Sequence, residues 1–171
     1  MKISLITVTY NSSRTLRDTI VSVLAQTYQD IEYIIIDGLS EDNTIEIIKE
    51  YEPQFEGRIR WVSEKDTGLY DAMNKGFRMA TGEIIGIINS DDLIAETTAI
   101  EKIVRCFEAN SSVDAVYADL YYVAQSDTSK IVRYWKSGKQ RPFAKGWHPA
   151  HPFQSAPRCP VRPERASGCS P

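Results

Sequence analysis

Glu32-Tyr33-Ile34-Ile35-Ile36-Asp37-Gly38-Leu39-Ser40 is the stretch that decides the fold. Residues 33–36 are a near-continuous apolar run, too short for a helix. A run of this kind predicts a central strand covered on both faces. Asp37-Gly38 breaks it, and Ser40 can cap a helix carrying Ile45, Ile47, Ile48 and Tyr51 that Pro53 stops. The same grammar holds upstream: residues 3–8 predict a strand, Asn11-Ser12-Ser13 a polar break, and Leu16, Ile20, Val23 and Leu24 a helix. Downstream it predicts a strand at 59–62, a helix at about 69–80 ended by Gly82, a strand at 84–88 and a helix near 97–109. Strands at 115–123 and 131–134 follow. The alternation predicts an α/β fold with a doubly wound, mainly parallel sheet and flanking helices.

Composition narrows the function. The chain has 171 residues, 42% hydrophobic and 25% charged, with a net charge of −3. That length can bury a real core, and that charge gives no footprint for nucleic acid. No stretch approaches a transmembrane helix, and the N-terminus reads as a strand rather than a secretory signal. Cys106, Cys159 and Cys169 lack metal-site spacing and leave one unpaired in any disulfide scheme, so a reducing cytoplasm is expected.

The character of the chain changes after Pro152. Residues 153–171 hold four of the eight prolines and two of the three cysteines, with no leucine, isoleucine, lysine or aspartate. Such a stretch predicts no core-facing strand or helix, and disorder is expected. It reads either as a natural flexible tail or as non-native sequence, the second reading being preferred. The expected organisation is therefore one domain over 1–152 and a tail over 153–171.

Polar residues gather just beyond the predicted strand ends, where a doubly wound sheet binds ligands. Thr7, Thr9, Tyr10 and Asn11 end the first strand, Asp37 the second, Asp66 and Gly68 follow the third, and Asn89, Ser90, Asp91 and Asp92 the fourth. Asp37 is expected at the mouth of the sheet, either accepting from a base or ribose or turning back on its own backbone. Asp91 and Asp92 repel one another unless a cation relieves them. Mg²⁺ or Mn²⁺ held by such a pair plus phosphate oxygens suits them, against a helix cap and first-turn acid as the plainer alternative. Lys75 and Arg78 share a helix with Asp71 and Asn74, where the Asp71–Lys75 spacing also suits a solvated ion pair. His148 and His151 are expected to line a loop rather than a metal. Tyr121, Tyr122, Tyr134 and Trp135 are expected to pack rather than stack on sugars.

These runs resemble family 2 glycosyltransferases, inverting enzymes with the GT-A fold. Residues 4–11, Ser-Leu-Ile-Thr-Val-Thr-Tyr-Asn, resemble the family's opening strand, and 22–28 the end of its first helix. Residues 32–44 resemble the second-strand motif, although the family more often has two acids before the glycine. The run from Ser63 to Gly76, which contains Asp66-Thr67-Gly68 and Asp71-Ala72-Met73-Asn74-Lys75, is similar to one in enzymes that build surface polysaccharides. Asn89-Ser90-Asp91-Asp92 stands where the family keeps its metal-binding acids, with Asn89 in place of the first acid.

The resemblance covers about residues 2–152. It implies that Thr9, Tyr10 and Asp37 hold the nucleotide base, with Asn11 and Asn74 in the same donor site. It places Asp66 near the base or ribose, Asp91 at ribose or metal, and Asp92 at the metal. It further implies Mn²⁺ or Mg²⁺, a UDP-sugar or a related nucleotide-diphosphate sugar as donor, and a polysaccharide or lipid-linked acceptor. The expected place of work is the cytoplasmic side, peripheral to the inner membrane face.

Two departures bear on activity. An inverting transfer needs a general base for the acceptor hydroxyl, and the family supplies it from a segment whose place is taken here by residues 153–171. The only acid there is Glu164, so the base is expected to be missing, and Asp119 is not assigned that role. An incomplete acceptor side can also leave an apolar edge that drives a homo-oligomer. The rival readings are a non-catalytic nucleotide-sugar-binding or assembly module and, further off, a nucleotidyltransferase. Asn11-Ser12-Ser13-Arg14 lacks the glycines of that enzyme's phosphate loop, and the missing dinucleotide turn disfavours a dehydrogenase.

Overall fold

The computed structural model describes residues 1–124 and 127–137 and the backbone of Phe153–Ser155. In chain order the elements are β1 (Ile3–Thr9), α1 (Leu16–Leu24), β2 (Ile31–Asp37), α2 (Thr44–Tyr51), β3 (Ile59–Ser63), α3 (Leu69–Met79) and β4 (Ile84–Ile87). Then come α4 (Ala99–Ala109), β5 (Ala115–Val116), β6 (Leu120–Ala124), β7 (Asp127–Trp135) and β8 (Phe153–Ser155). Six strands form one sheet in the order β3-β2-β1-β4-β8-β5. β1 to β4 are parallel, and β8 runs antiparallel to both of its neighbours.

The isoleucine-rich runs explain the centre of this sheet. Every residue of β1 and β2 is buried. Ile3, Leu5, Tyr33 and Ile35 face a core shared with α1, α2 and α4, while Ile6, Val8, Ile34 and Ile36 face Ala72 of α3. Each such aliphatic side chain contributes about 1.5–3 kcal/mol when fully buried. Helices thus lie on both faces, as expected for a doubly wound sheet.

Two glycines set how closely the elements approach. A Cβ on Gly76 would lie 2.5 Å from Ile6 Cγ2, so α3 can sit on β1 only with a glycine there. A Cβ on Gly82 would lie 2.7 Å from the Ser4 backbone nitrogen. Gly82 N donates to Ser4 Oγ, and Ser4 Oγ donates to Glu32 at 2.7 Å. Thr81 N also donates to Glu32, and Arg60 and Lys2 pair with it at 3.2 and 3.6 Å. Burial alone would raise the Glu32 pKa, but the donors from Ser4, Thr81 and Arg60 outweigh it and hold the carboxyl below its ordinary value. This network lies at the end of the sheet away from the predicted site.

Three expectations are corrected and a fourth holds in part. Ser40 does not cap α2, which starts after Asn43; its hydroxyl instead donates to Asp37, because that carboxylate is nearer than the helix end. The single strand expected at 115–123 is two, β5 and β6, separated by residues 117–119. Phe153–Ser155 forms a strand where none was expected: its backbone fills the slot between β4 and β5, a place that asks for no apolar pattern of its own. Of the four aromatics expected to pack, Tyr121 and Tyr134 do so, ring on ring at 5.1 Å, but all four stay outside the core. They belong to the β6–β7 hairpin, a separate two-stranded sheet whose second strand is exposed along its whole length. His148 and His151, the remainder of the expected tail, and Cys159 and Cys169 lie outside the described residues.

Candidate functional site

The parallel strands β1 to β4 deliver their C-terminal ends to one rim, and the loops that follow are tied to each other there. In the pairing of β1 with β2, Thr9 stands opposite Asp37, and in that of β2 with β3, Asp37 stands opposite Ser63. Asp37 is fully buried rather than open at the mouth of the sheet. Its Oδ2 accepts from Ser40 N at 3.0 Å and Ser63 Oγ at 2.7 Å, and its Oδ1 accepts from Ser40 Oγ. Two serines thus supply the donors that a ligand would otherwise provide, and the carboxylate fixes the loop after β2.

The first loop is fastened to the second. Asn11, in the left-handed region at φ 51°, donates its N–H to Ser40 Oγ and accepts from Glu41 N at 2.8 Å through its side-chain oxygen. A non-glycine residue held there signals a conformation that its surroundings enforce. Ser12 N donates to Thr44 Oγ1, and Ser13 N to Asp42. Partial burial would raise the Asp42 pKa, but its bonds from Thr44 and Ser13 bring it down to about 2. Ser12 Oγ also lies 3.0 Å from Ser90 Oγ, next to Asp91 in the loop after β4.

Gly38 joins the third loop. A Cβ at this position would meet Asp66 Oδ2 at 2.7 Å and the Tyr10 ring at 3.5 Å, so Tyr10, Gly38 and Asp66 converge. Tyr10 is 60% exposed, with a ring face free to carry a flat ligand. Asp66 Oδ1 accepts from Gly68 N at 2.9 Å, which aims Oδ2 at the gap beside Gly38. The loop bearing Asp66 is held from behind by Lys75, whose ammonium donates to the Lys65 carbonyl at 2.7 Å and pairs with Glu64 at 3.0 Å and Asp71 at 3.9 Å. Lys75 is therefore largely committed within the protein, while Asn74 beside it is exposed.

Thr9 is buried, and its hydroxyl has no hydrogen-bond partner among the described residues. A buried polar atom without a partner is costly and marks a place where one is wanted.

Asp91 and Asp92 are both exposed in the loop after β4. Asn89 Nδ2 donates to Asp92 Oδ2 at 2.8 Å, and Asp92 N returns a bond to the Asn89 carbonyl. No group of three acidic, histidine or cysteine side chains converges among the described residues. Two carboxylates on an open rim nevertheless fit a Mg²⁺ or Mn²⁺ ion that draws its remaining oxygens from a phosphate and water.

Of the residues expected in the site, Tyr10 and Asp66 both come up to Gly38, while Thr9, Asn11 and Asp37 lie at the base of the same loops. Ser12–Ser90 brings the loop of Asp91 and Asp92 to the same rim. The residues that sequence reasoning gave no place in the site are Ser12, Asp42, Thr44 and Ser63, whose only signal was being small and polar near the rim ends of the strands. Asp119, near the start of the hairpin, accepts from Tyr134 Oη, Ser137 N and Ser137 Oγ, so both of its oxygens are engaged.

Comparison with known proteins agrees with this geometry. A glycosyltransferase of Nostoc sp. is 36% identical over 117 residues, which are 68% of this chain and 36% of that protein. A PGL/p-HBAD biosynthesis glycosyltransferase of Mycobacterium tuberculosis is 31% identical over 68% of this chain and 46% of its own length. The chain thus spans less than half of these relatives. Among solved structures, S. aureus TarS 1-349 in complex with UDP-GlcNAc superposes with a TM-score of 0.64 at 22% identity, over 69% of this chain and 34% of that one. The mannosyltransferase PcManGT of Pyrobaculum calidifontis, in complex with GDP-Man and Mn²⁺, gives 0.64 at 23%, over 75% of this chain and 37% of that one. These likenesses establish the GT-A fold. The pattern of glycosyl transferase family 2 matches residues 4–165, nearly the whole sequence, and the chain belongs to that family.

Proposed function

We propose that this chain is the donor-binding part of an inverting glycosyltransferase that moves a sugar from a nucleotide diphosphate, UDP first, to a glycan or lipid-linked acceptor. One observation carries the reading: the loops after β1, β2, β3 and β4 are fastened into a single rim, through Tyr10, Gly38 and Asp66 on one side and Ser12 and Ser90 on the other. The solved complexes of the similar TarS with UDP and UDP-GlcNAc, and of PcManGT with GDP-Man and Mn²⁺, support the donor class.

In this reading Tyr10 carries the base on its ring and Asp66 accepts from base or ribose. Asp37 acts on Gly38 and Ser40 from beneath, and the unpartnered Thr9 hydroxyl offers one further polar contact at the floor. Asn11 shapes the loop through Ser40 and Glu41, and the exposed Asn74 lies within reach of the sugar-phosphate side. Asp91 and Asp92 hold Mn²⁺ or Mg²⁺, which offsets charge on the departing diphosphate. The work is done at the inner face of the membrane.

A second reading, donor binding without transfer, is favoured by the composition of residues 153–171, where the only acid is Glu164.

Calorimetry of the chain with UDP and GDP, with and without Mn²⁺, tests the donor clause. UDP binding strengthened by Mn²⁺ is expected. Failure to bind either nucleotide sinks the assignment, and binding indifferent to divalent ions sinks the metal clause alone. Turnover at enzyme-like rates, on the order of 1–10³ s⁻¹, would exclude the second reading.

A further inference from the structure

The β6–β7 hairpin has a surface that the donor site does not explain. Two-stranded hairpins are marginal in water unless something covers them. In this one Tyr121 stands opposite Tyr134 and Val123 opposite Ile131. The two tyrosine rings stack at 5.1 Å, each about half exposed. Ile131 and Val132 are 56% and 67% exposed, more open than any other aliphatic side chain in the core-facing elements. Trp135 ends the strand, also exposed.

Charge tells what could cover it. Between Leu120 and Ser137 the sequence holds three cations, Lys130, Arg133 and Lys136, against one acid, Asp127, in a chain whose net charge is −3. None of the three cations is in a salt bridge among the described residues, and Arg133 lies over the Tyr122 ring at 5.7 Å. Of the nearby carboxylates, Asp127 accepts from Ser129 N and Oγ through Oδ1 alone, while Asp119 accepts from Tyr134 and Ser137 through both oxygens. Aromatic and aliphatic side chains on a ribbon with three cations outside any salt bridge among the described residues match the chemistry of an anionic lipid surface.

We propose that the β6–β7 hairpin docks the protein on an anionic membrane. β5 runs parallel to β4, since both oppose β8. The hairpin begins four residues past Val116 and so leaves the sheet on the edge that carries Tyr10, Asp66 and Asp92. Docking through it presents the donor rim to the bilayer. The inference deepens the membrane clause above but stands apart from the donor chemistry, because binding to lipid needs no nucleotide.

The test is flotation of the full chain with phosphatidylcholine vesicles, and with phosphatidylcholine mixed with phosphatidylglycerol. Binding to the mixed vesicles alone, weakened by high salt, is expected. The double variant Lys130→Glu with Arg133→Glu should lower partitioning on the order of tenfold or more, and Ile131→Ser with Val132→Ser should lower it as well. All four positions are exposed, so circular dichroism and UDP binding should stay as in the parent chain. Equal binding to neutral vesicles, binding to neither, or variants that bind like the parent overturn the proposal. Self-association in sedimentation that these substitutions abolish, without any vesicle binding, would replace it with an interface between two copies of the chain.

Discussion

Asp66 Oδ2 occupies the space into which a side chain at position 38 would grow, 2.7 Å from where a Cβ on Gly38 would stand. Gly38→Ala should push Asp66 aside and weaken UDP binding about tenfold, the scale of one charge-assisted hydrogen bond. Stability should change by less than about 1 kcal/mol, as usual for a loop position away from the core. Titration calorimetry beside thermal unfolding checks both, and undiminished UDP affinity would remove Asp66 from the donor site.

Asn89 supplies a donor where a third acid would repel. Asp92→Asn and Asp91→Asn should each reduce Mn²⁺-dependent UDP affinity by at least the 10- to 100-fold seen when a metal's ligand surroundings are disturbed. Asn89→Asp should act in the other direction. It replaces the bond to Asp92 by like-charge repulsion, so UDP binding should become weaker without metal and more steeply dependent on Mn²⁺. A titration series over Mn²⁺ concentration reads all three variants, and parallel curves would show that this loop holds no ion.

Gly76 is a packing requirement, and the prediction concerns folding rather than chemistry. Gly76→Ala would place a Cβ 2.5 Å from Ile6 Cγ2 in a fully buried contact. Overpacking of this kind costs about 1–3 kcal/mol, which lowers Tm by roughly 2–4 °C per kcal/mol in a domain of this size. Ile6→Ala, which removes the clashing Cγ2, should cost less beside Gly76→Ala than on its own, as expected if the two positions are coupled. A variant as stable as the parent would mean that α3 does not rest on β1 as described.

Glu32 makes stability depend on pH. Its carboxyl titrates below the ordinary glutamate value in the folded chain, so its contribution is complete above that ordinary value and is lost as pH falls through the folded one. Urea unfolding should show stability declining through the acid range, and Glu32→Gln should flatten that decline while lowering stability near neutrality. An unchanged slope in the variant would assign the acid sensitivity elsewhere.

How far the residues announce all this depends on what each depends on. β1, β2 and the helices were legible because their burial is written in local periodicity: the isoleucines of β2 can only be a strand covered on both sides. Tyr10, Asp66, Asp91 and Asp92 were legible as rim residues because strand ends in a parallel sheet share one edge. The state of Asp37 was not, because it turns on Ser63, which reaches it only through strand pairing. The break between β5 and β6 left no mark either, since Tyr117-Ala118-Asp119 contains neither glycine nor proline. β8 is shaped by its neighbours, and Phe-Gln-Ser carries no pattern to read.

β8 also governs the order of assembly. Among the described residues β5 joins the rest of the sheet through it alone, with Ile84 and Ala115 each waiting on residues near position 154. A nascent chain therefore emerges with one flank of β4 unzipped until synthesis has passed Ser155, and ties of such long sequence separation form slowly. During that interval the bare backbone of β4 is open to strands from other polypeptides. Shortening the chain by a few residues before this point would turn a late closure into a permanently sticky edge.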